Sequence, residues 1–463
     1  MKILICASEV VPFAKTGGLA DVAAALPLAL EQQGQDVVIA MPRYKCVSEK
    51  KFNIKSLKKG VSYSITGKNI KTYFLENEAY FNRDNLYGEK TGDYSDNLDR
   101  FSYFCARTLE LMKEINFKPD ILHCHDWQSC LAIIYLKTKY AKDPFFKDTK
   151  AILTIHNIGY QGLFPRDQFP QLGLDWSYFN IEQLEFYGQI SLLKGGMVFA
   201  DIINTVSPTY AKEIQTKDFG FGLEGVLNKR KKDVFGILNG IDYNIWNPQA
   251  DKVIARAFSA DDLNGKAVDK EDLQKLCKFP LRKDVALIGV ISRLAEQKGF
   301  DLIAQDIEEI CKMDLQLVLL GTGDLKYHLL LEGIAKRYPK VVSLYLKFDD
   351  ELAHKIYAGS DIFLMPSRYE PCGLGQLIAL RYGTIPLVFK TGGLADTVSK
   401  DNGFIFSQYN KKELLKTIKE AVKAFGNAKK WGGLVKKAMA YDFSWEGSAA
   451  KYIALYEKAK TKK

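Results

Sequence analysis

No stretch of the sequence approaches the roughly 18 consecutive apolar residues that a membrane-spanning helix requires. The short apolar run that begins at Ile3 is interrupted at Glu9, too early for a secretory signal, and is better interpreted as a buried first strand. The eight cysteines are scattered and never form a C-x-x-C pair. These absences predict a cytoplasmic protein with free thiols that neither enters a membrane nor depends on disulfides.

Several ligand-binding signatures are also missing. The chain contains no G-x-x-x-x-G-K-[ST]. The first strand and loop, residues 1–18, lack G-x-G-x-x-G, and Lys326 stands where the last glycine after Gly321 and Gly323 would be. A P-loop nucleotidase and a nicotinamide-dependent enzyme are therefore disfavoured. The D-x-D pair with which many transferases hold a nucleotide diphosphate through a metal is absent as well. Cationic side chains in place of a metal are the simpler interpretation.

Only one segment has a spacing typical of metal ligands. His123 and His125 would share one face of a strand, and Asp126 follows them. A metal site is possible there, but no second group of ligands with recognisable spacing accompanies it. We therefore expect no metal.

The charge balance is positive without being concentrated. The chain has 65 basic and 55 acidic residues, a net charge of +10. Such a charge suits an anionic small ligand, a nucleic acid, or solubility alone. Because the basic clusters are short and no basic stripe alternates with aromatic residues, we expect a solvated basic surface and no nucleic-acid partner.

The order of predicted elements indicates two domains. With 463 residues, the chain is too long for one ordinary core and long enough for two. A strand, a loop, a helix and a second strand follow one another over residues 3–40, and the same pattern recurs over residues 285–389. We predict Rossmann-like domains over residues 1–245 and 246–444. A helix over residues 445–463 is predicted to pack back toward the first domain.

An internal repeat is the most informative feature. Residues 15–21 and residues 390–396 both read KTGGLAD, each just after a predicted strand. Ordinary glycine turns would explain the glycines but not the shared Lys, Thr and Asp, so the repeat indicates two related domains. In the first copy, Gly17 and Gly18 allow backbone N–H groups to approach an anion at the start of a helix, and Lys15 adds a full positive charge. This combination suits a diphosphate or a sugar oxygen.

Further polar side chains follow predicted strands, where open α/β sheets bind their ligands. Arg293 and Lys298 come after the strand over residues 285–291 and would either hold a diphosphate or be solvated loop cations. Glu370 follows the strand over residues 361–365 and would accept hydrogen bonds from sugar hydroxyls or cap a helix. His156 occupies the same kind of position after the strand over residues 151–155.

Asp126 and Trp127 follow the strand over residues 121–125. Trp127 has two interpretations, a platform for a sugar ring or a filler of the core.

Taken in order, these motifs resemble, nearly from end to end, the ADP-glucose-dependent glycogen synthases of bacteria and the related plant starch synthases. The segments that carry the resemblance are KTGGLADV at 15–22, HDWQ at 125–128, TIHNIGYQGLFP at 154–165, LNGIDYNIWNP at 238–248, SRLAEQKGFDL at 292–302, PSRYEPCGLGQ at 366–376 and TGGLADTV at 391–398.

The resemblance implies a fold and a reaction. The fold is GT-B, an α/β architecture of two Rossmann-like domains facing a cleft, with the acceptor side in the first domain and the nucleotide sugar in the second. The reaction is transfer of glucose from ADP-glucose to the non-reducing end of glycogen or another α-1,4-glucan, with retention of configuration. No cofactor and no metal are expected. The oligomeric state is not predicted.

The resemblance also implies site residues. Those expected to act in catalysis, on the transferred glucose or the diphosphate, are Lys15, His156, Arg293, Lys298 and Glu370. Those expected to line the substrate site are Gly17, Gly18, Asp21, Tyr87, Asp126, Trp127, Asn239, Phe348, Cys372, Gly373, Leu374 and Gly375. Within this set, Tyr87 is expected to face the site, Phe348 to lie against adenine, and the amides from Cys372 to Gly375 to assist Glu370.

The sequence departs from its family at two positions. Gly375 stands where relatives often have threonine, so one donor contact is expected from backbone alone. Ile378 occupies the place of the second of two glutamates that related transferases separate by seven intervening residues. With no evident carboxylate nucleophile, attack by the acceptor on the same face as the departing phosphate is favoured over a covalent intermediate.

Two other functions fit part of the pattern. A glucan phosphorylase-like enzyme shares this kind of fold but needs pyridoxal phosphate, which would give a coloured protein. A non-catalytic glucan-binding protein should lack the cations at positions 15, 293 and 298, all of which are present. Turnover of ADP-glucose with a glycogen primer separates the three.

Overall fold

A computed structural model describes residues 1–89 and 92–462, which divide into two compact units. The first unit comprises Met1–Asn239 together with the chain from Trp445 onward, and the second comprises Gly240–Ser444. The boundary predicted at residue 245 lies inside the second unit. The backbone N–H of Ile241 donates to Phe443 O at 2.8 Å, and the Tyr243 hydroxyl accepts from Phe443 N at 2.8 Å. These bonds tie the start of the second unit to its end.

The core of the first unit is a mixed sheet whose central strands are parallel. In chain order the strands of this unit are β1 (Lys2–Cys6), β2 (Asp36–Pro42), β3 (Lys55–Lys58), β4 (Val61–Thr66), β5 (Ile70–Leu75), β6 (Gly88–Glu89), β7 (Gly92–Asp93), β8 (Ile121–His125), β9 (Lys150–Ile155), β10 (Leu163–Pro165), β11 (Glu185–Phe186), β12 (Gln189–Ser191), β13 (Ile202–Thr205) and β14 (Val234–Gly236). The main sheet has the order β14-β13-β9-β8-β1-β2-β5-β4-β3.

The strands at the centre of this sheet are buried along almost their whole length, as expected where helices cover both faces. Beyond β5 the pairing becomes antiparallel, and the edge strand β3 is mostly exposed and carries lysines, which discourage pairing with another chain. Outside the main sheet, β10, β12 and β11 form a small antiparallel sheet, and β6 pairs with β7. The helices of the unit are α1 (Gly18–Gln32), α2 (Glu49–Phe52), α3 (Glu78–Phe81), α4 (Asn97–Glu114), α5 (Cys130–Lys137), α6 (Leu192–Phe199), α7 (Pro208–Glu213) and α8 (Glu224–Lys229).

The second unit is built on an entirely parallel sheet. Its strands are β15 (Ala286–Ile291), β16 (Leu315–Leu320), β17 (Val342–Tyr345), β18 (Ile362–Met365), β19 (Ile385–Phe389) and β20 (Phe404–Phe406), in the order β17-β16-β15-β18-β19-β20. Its helices are α9 (Asn264–Leu276), α10 (Phe300–Cys311), α11 (Leu325–Arg337), α12 (Asp350–Gly359), α13 (Gly375–Arg381), α14 (Gly392–Thr397), α15 (Lys411–Phe425) and α16 (Ala428–Met439). The predicted α/β class with two Rossmann-like units is confirmed.

Short 3-10 turns complete both units, at Trp127–Ser129, Arg166–Leu172, Trp176–Tyr178, Lys231–Asp233 and Glu296–Lys298. Within the described ranges, no helix combines the length and the apolar character that crossing a membrane would demand.

The last helix, α17 (Trp445–Thr461), belongs to the first unit and packs against α1 and β9. Two buried tyrosines fix it there. The Tyr456 hydroxyl lies 2.9 Å from His123 Nδ1, and the Tyr452 hydroxyl accepts from Asn204 Nδ2 at 3.1 Å. Thr154 Oγ1 joins both pairs, 2.7 Å from His123 Nε2 and 3.1 Å from Asn204 Nδ2. His123 therefore bonds to the final helix through Nδ1 and to the neighbouring strand β9 through Nε2.

We expect the stability of the first unit to fall as the pH is lowered below about 6.5. Burial lowers the pKa of His123 and of His156 to about 3, and it also lowers the pKa of His125. The unfolded chain therefore takes up protons that the native state does not, which costs about 1 kcal/mol per pH unit for each such ring. Asp126 opposes this trend because burial raises its pKa to about 7. Between pH 7 and the ordinary pKa of a carboxyl group, Asp126 holds a proton in the native state that it lacks in the unfolded chain. This difference partly offsets the loss of stability that the histidines cause.

The measurement is urea unfolding at pH 7, 6 and 5. His123→Gln can still hydrogen-bond to Tyr456 and Thr154 but does not titrate. Its free energy of unfolding should fall less steeply, by about 1 kcal/mol per pH unit. Equal slopes for the variant and the wild type would contradict the assignment.

Candidate functional site

Polar side chains gather just beyond the carboxyl ends of neighbouring strands in the first unit. Glu9 follows β1, Asp126 follows β8, His156 follows β9 and Asn239 follows β14. Because these strands are parallel and adjacent, apart from β13 between β9 and β14, the four residues lie along one edge of the sheet. That edge is where open α/β sheets bind ligands.

Glu9 is a buried carboxylate that sequence reasoning did not select. Its Oε2 accepts from the backbone N–H of Thr16 and, at 3.3 Å, from that of Gly17, while its Oε1 accepts from Thr16 Oγ1 at 2.6 Å. The Tyr87 hydroxyl donates to the same Oε1 at 2.6 Å. The backbone N–H groups of Thr16 and Gly17 are therefore occupied by Glu9. The amides left for a ligand are those that open α1, beginning at Gly18, which have no intrahelical acceptor.

Tyr87 is held beside this carboxylate rather than directed to solvent. Its hydroxyl also lies 2.8 Å from Ser8 Oγ, and its ring packs against Phe101 at 6.0 Å between centroids. Burial together with the neighbouring Tyr44 and Glu9 raises the pKa of Tyr87 well above its ordinary value. The hydroxyl therefore stays protonated and serves as a hydrogen-bond donor to Glu9.

Lys15 and Asp21 form an ion pair across the start of α1, with 2.8 Å between Nζ and Oδ1. The two side chains are 42% and 35% exposed, so the pair contributes little stability, although it directs the ammonium group over the helix N-terminus. Gly17 has an extended backbone at φ −152°, and a Cβ on it would meet nothing within 4 Å. Neither conformation nor packing in the fold requires glycine there, so the open space is available to a ligand.

We predict that Glu9 acts as a positioning residue for the glycine loop. Glu9→Ala should lower kcat/KM by roughly 10- to 100-fold, since charge-assisted hydrogen bonds to the loop are lost. Glu9→Gln should recover most of the rate because its amide oxygen can still accept from Thr16 and Gly17. Steady-state kinetics with thermal unfolding of both variants is the measurement. A Glu9→Ala enzyme with normal kinetics, or a Gln variant no better than Ala, would sink this role.

Asp126 and His156 are joined through the backbone. Asp126 Oδ1 accepts from the backbone N–H of His156 at 2.7 Å, and this bond orders the turn after β9. The His156 Nε2 atom lies 2.9 Å from His125 Nδ1. Because burial lowers the pKa of His156 to about 3, its ring is neutral near pH 7 and serves as a hydrogen-bonding group rather than an acid.

Two other predicted residues of this unit differ in their surroundings. Trp127 is 7% exposed and packs edge-on against Phe101 and Phe164, at 5.1 and 5.7 Å between centroids. A Cβ at Gly162 would lie 2.6 Å from its ring. Trp127 therefore fills the core, the second of its two interpretations.

Asn239 is 6% exposed, yet its buried Oδ1 has no hydrogen-bond partner among the described residues, as expected of a group that awaits a ligand.

His123 and His125, the two histidines with metal-ligand spacing, lie in a hydrogen-bonded cluster of side chains. Within residues 1–89 and 92–462, no three or more His, Cys, Asp or Glu side chains are grouped so that they could hold a metal ion. His123 is occupied by Tyr456 and Thr154, and His125 by His156. Both ring nitrogens of His123 and the Nδ1 of His125 therefore have partners within the chain, whereas His125 Nε2 is buried without a hydrogen-bond partner among the described residues.

In the second unit, Lys298 and Glu370 form a close ion pair. The Lys298 Nζ donates to Glu370 Oε2 at 2.6 Å, with the side chains 19% and 8% exposed. Ser367 Oγ donates to the same oxygen at 3.0 Å. The two residues come from the loops after β15 and β18, which are neighbours in the sheet. The structure thus brings together two residues that are 72 positions apart in the sequence.

The second KTGGLAD copy supports the loop that carries Glu370. Gly392 has φ +42°, and a Cβ there would overlap Glu370 O, while a Cβ at Gly393 would overlap Cys372 O. Gly393 N donates to Glu370 O at 3.1 Å. Glycine is therefore required here by packing, unlike at Gly17. The two identical heptapeptides therefore differ in their surroundings. The first borders open space at the surface, and the second packs closely against the backbone of the Glu370 loop.

Arg293 and Phe348 are the most exposed of the predicted residues in this unit. Arg293 Nη2 donates to Gln297 Oε1 at 3.4 Å, and the residue is otherwise exposed. Phe348 is 75% exposed. The surroundings of these two side chains leave both accessible to a ligand.

The packing of the glycine-rich segment after Glu370 explains why position 375 has no threonine. Gly373 has φ +72°, and the buried Gln376 holds it by donating from Nε2 to Gly373 O at 2.8 Å and to Cys372 O at 3.0 Å. A Cβ at Gly375 would lie 2.9 Å from the Phe363 ring, which fills the room that a threonine would need. Leu374 is the residue that precedes α13.

Ile378 is 5% exposed and belongs to the hydrophobic core. A second carboxylate is therefore absent from this position for a packing reason.

Comparison with family models covers both units. Residues 2–229 match the model described as the starch synthase catalytic domain, and residues 274–434 match the model described as glycosyl transferases group 1. The first match includes the Glu9, Asp126 and His156 segments, and the second includes those of Arg293 and Glu370.

Similar relatives and solved structures span the whole chain. The glycogen synthase of Geotalea daltonii is 48% identical over 100% of both chains. That of Thermotoga petrophila is 46% identical over 100% of this chain and 99% of its own. The catalytic domain of starch synthase IV from Arabidopsis thaliana, bound to ADP and acarbose, is 35% identical with a TM-score of 0.91 over 99% of both chains. A sucrose-phosphate synthase from Thermosynechococcus elongatus, 16% identical with a TM-score of 0.65 over 99% of this chain and 98% of its own, shares the fold. The predicted GT-B fold is confirmed.

Proposed function

Because the chain belongs to the glycogen and starch synthase family of glycosyltransferases, we propose that its donor is ADP-glucose and its acceptor the non-reducing end of an α-1,4-glucan. The relatives confirm the predicted enzyme class, which is that of a retaining glycosyltransferase of glycogen biosynthesis. The family uses a nucleotide-sugar donor and a glucan acceptor. The choice of ADP is supported by the ADP bound to the Arabidopsis starch synthase.

In this proposal, cationic side chains stabilise the leaving diphosphate. Lys15 in the first unit and Arg293 and Lys298 in the second are proposed to bind the diphosphate and to stabilise its negative charge as the glycosidic bond breaks. Arg293 and Lys15 are accessible side chains, and Lys298 is held in place by Glu370. Within the second unit, Glu370 holds the Lys298 ammonium in advance of the reaction, so little reorganisation of this group is needed in the transition state.

Neutral hydrogen-bonding groups are proposed to hold the transferred glucose. The His156 ring and the Asn239 amide, whose Oδ1 is buried without a partner in the described chain, are suited to sugar hydroxyls. The carboxylate of Glu370 is also proposed to accept hydrogen bonds from glucose hydroxyls. Phe348 is proposed to cover the adenine ring, and its exposure of 75% leaves one face free for it.

Attack on the same face as the departing phosphate remains our mechanism of choice. The candidate carboxylates already have partners: Glu9 holds the loop, Asp21 pairs with Lys15, Asp126 accepts from His156 N and Glu370 pairs with Lys298. A covalent nucleophile needs a carboxylate aimed at the anomeric carbon. In the proposed step the acceptor oxygen bonds to that carbon, the carbon–phosphate oxygen bond breaks, and the phosphate takes the acceptor proton. Isolation of a glucosyl adduct on a side chain would overturn this mechanism.

A donor panel tests the proposed function. The enzyme is supplied with ADP-glucose or UDP-glucose and a glycogen primer, and nucleotide release is measured with and without EDTA. We expect ADP-glucose to be the better donor and EDTA to leave the rate unchanged, because protein cations replace the metal. Preference for UDP-glucose would overturn the donor assignment, and strict dependence on Mg²⁺ or Mn²⁺ would overturn the role of the cations.

A further inference from the structure

Three exposed aromatic side chains lie on the first unit beside the turn that carries His156 and Asn157. Tyr160, Tyr187 and Phe221 are 52%, 81% and 44% exposed. We refer to these three residues as the aromatic ledge. Tyr160 lies in the segment 154–165 that carries the family resemblance, whereas Tyr187 and Phe221 belong to two other segments, and no local pattern connects the three.

The ledge is continuous with the His156 turn. A Cβ at Gly159 would lie 3.2 Å from Asn157 Oδ1 and 3.7 Å from the Phe221 ring. A Cβ at Gly222 would lie 3.4 Å from Tyr187 Cε2, so the segment of Phe221 also adjoins Tyr187. The aromatic surface therefore runs from the turn after β9, past Phe221, to Tyr187.

Two members of the ledge have a backbone conformation that aromatic residues seldom adopt. Both Tyr187 and Phe221 have φ +50°, in the left-handed region that strongly favours glycine or asparagine. Such conformations persist where surrounding structure enforces them, and they concentrate at functional sites. A smaller residue would be less strained at either position.

The Tyr187 ring has little packing within the unit. The Tyr187 ring contacts Phe186 edge-on at 4.7 Å between centroids and is otherwise exposed. The backbones beneath are firmly held, since Gln161 Nε2 donates to Phe221 O at 2.9 Å and Gly188 N donates to Glu185 Oε1 at 2.6 Å. The structure therefore presents uncharged aromatic rings on a rigid support.

We propose that the aromatic ledge binds the acceptor glucan beyond the residue that receives glucose. A pyranose has an apolar C–H face that fits an aromatic ring, and a neutral chain needs no charged partner. The ledge adjoins Asn157 and His156, and the acceptor is a chain that extends past the reacting end. This inference rests on the proposed function in one respect, the identity of the ligand as an α-1,4-glucan.

The test uses Tyr187→Gly, Phe221→Gly and the double variant of the full chain. Glycine accommodates the left-handed backbone, so thermal unfolding should occur at the wild-type temperature or above. Retardation by glycogen in native gels should weaken by roughly tenfold for the double variant, the scale of losing one or two stacking contacts. The KM for glycogen should rise in parallel, while the KM for ADP-glucose and the rate with a short maltooligosaccharide stay within about twofold of wild type. Tyr441→Asn, which removes a 40% exposed aromatic ring from the second unit, is the matched control.

Unchanged glycogen retardation in the folded double variant would overturn the proposal. A changed sedimentation coefficient with unchanged glycogen binding would also overturn it, in favour of a contact with a second copy of the chain. Glycogen retardation requires no donor and no turnover. If ADP-glucose is not used but retardation still depends on the ledge, the donor assignment fails and the ledge stands.

Discussion

Arg293→Ala is expected to lower kcat/KM for ADP-glucose by roughly 10²–10³, the scale of losing one preorganised electrostatic group in the transition state. Thermal stability should stay at the wild-type value, because the guanidinium is exposed and makes one long hydrogen bond, 3.4 Å to Gln297. Arg293→Lys should also be impaired, since an ammonium group cannot form the two parallel hydrogen bonds of a guanidinium with phosphate oxygens.

Kinetics over a range of ADP-glucose concentrations, with a melting curve for each variant, provides the measurement. Arg282→Ala is a suitable control because Arg282 is another arginine of the second unit, paired at the surface with Asp284 and Asp314. Near-normal kcat/KM in a folded Arg293→Ala enzyme would contradict the diphosphate assignment.

The same loss of activity is expected for the two lysines, Lys15 and Lys298, but their replacement should affect stability differently. Lys15→Ala and Lys298→Ala should each lower kcat/KM by roughly 10²–10³. Lys15→Ala should leave stability almost unchanged, because its partner Asp21 is 35% exposed. Lys298→Ala should be destabilised, because Glu370 is 8% exposed and would keep a buried charge without its cation.

The double variant Lys298→Ala with Glu370→Gln separates the two effects. Removing both charges should recover stability but not activity. Recovery of the rate as well would show that Lys298 acts only through Glu370.

The second prediction with a large effect contrasts the two KTGGLAD copies. Gly392→Ala should destabilise the second unit by about 3 kcal/mol, because its Cβ would overlap Glu370 O and its φ of +42° disfavours alanine. Its activity should also fall, since the carboxylate loop must move. Gly17→Ala should fold like the wild type, because nothing lies within 4 Å of its Cβ. It should nevertheless lose roughly 10²-fold in kcat/KM if the donor occupies that space.

Thermal unfolding and steady-state kinetics of the two alanine variants test this contrast. Gly432→Ala, at another glycine whose Cβ would meet nothing within 4 Å, controls for the substitution itself. The interpretation fails if Gly392→Ala melts at the wild-type temperature or if Gly17→Ala retains full activity.

The positions of the site residues along the chain are largely readable from the sequence. Buried parallel strands appear as continuous apolar runs, and the loops that follow them are marked by Gly, Pro and polar side chains, which are local signals. Arg293, Glu370 and His156 can be selected for this reason alone. The repeated heptapeptide likewise indicates two related domains without any knowledge of their contacts.

The partners of those residues cannot be read in the same way. Glu9 stands out in the sequence only as the end of an apolar run, although it holds Thr16, Gly17 and Tyr87. Trp127 has two interpretations in the sequence, and its packing against Phe101 and Phe164 decides between them. A carboxylate followed by a K-T-G-G segment within ten residues is the signal that could have identified Glu9 in advance.

The sequence by itself determined the α/β class, the order of strands and loops, and which chemical groups stand after which strand, because these depend on neighbours along the chain. Only the tertiary structure decided that one KTGGLAD copy borders open space while the other packs against the Glu370 loop, and that Tyr187 and Phe221 share one surface. The identical heptapeptides differ because their surroundings differ: the nearby Glu9 binds the backbone of the first copy and leaves the Cβ side of Gly17 open, whereas the distant Glu370 loop packs against Gly392 in the second.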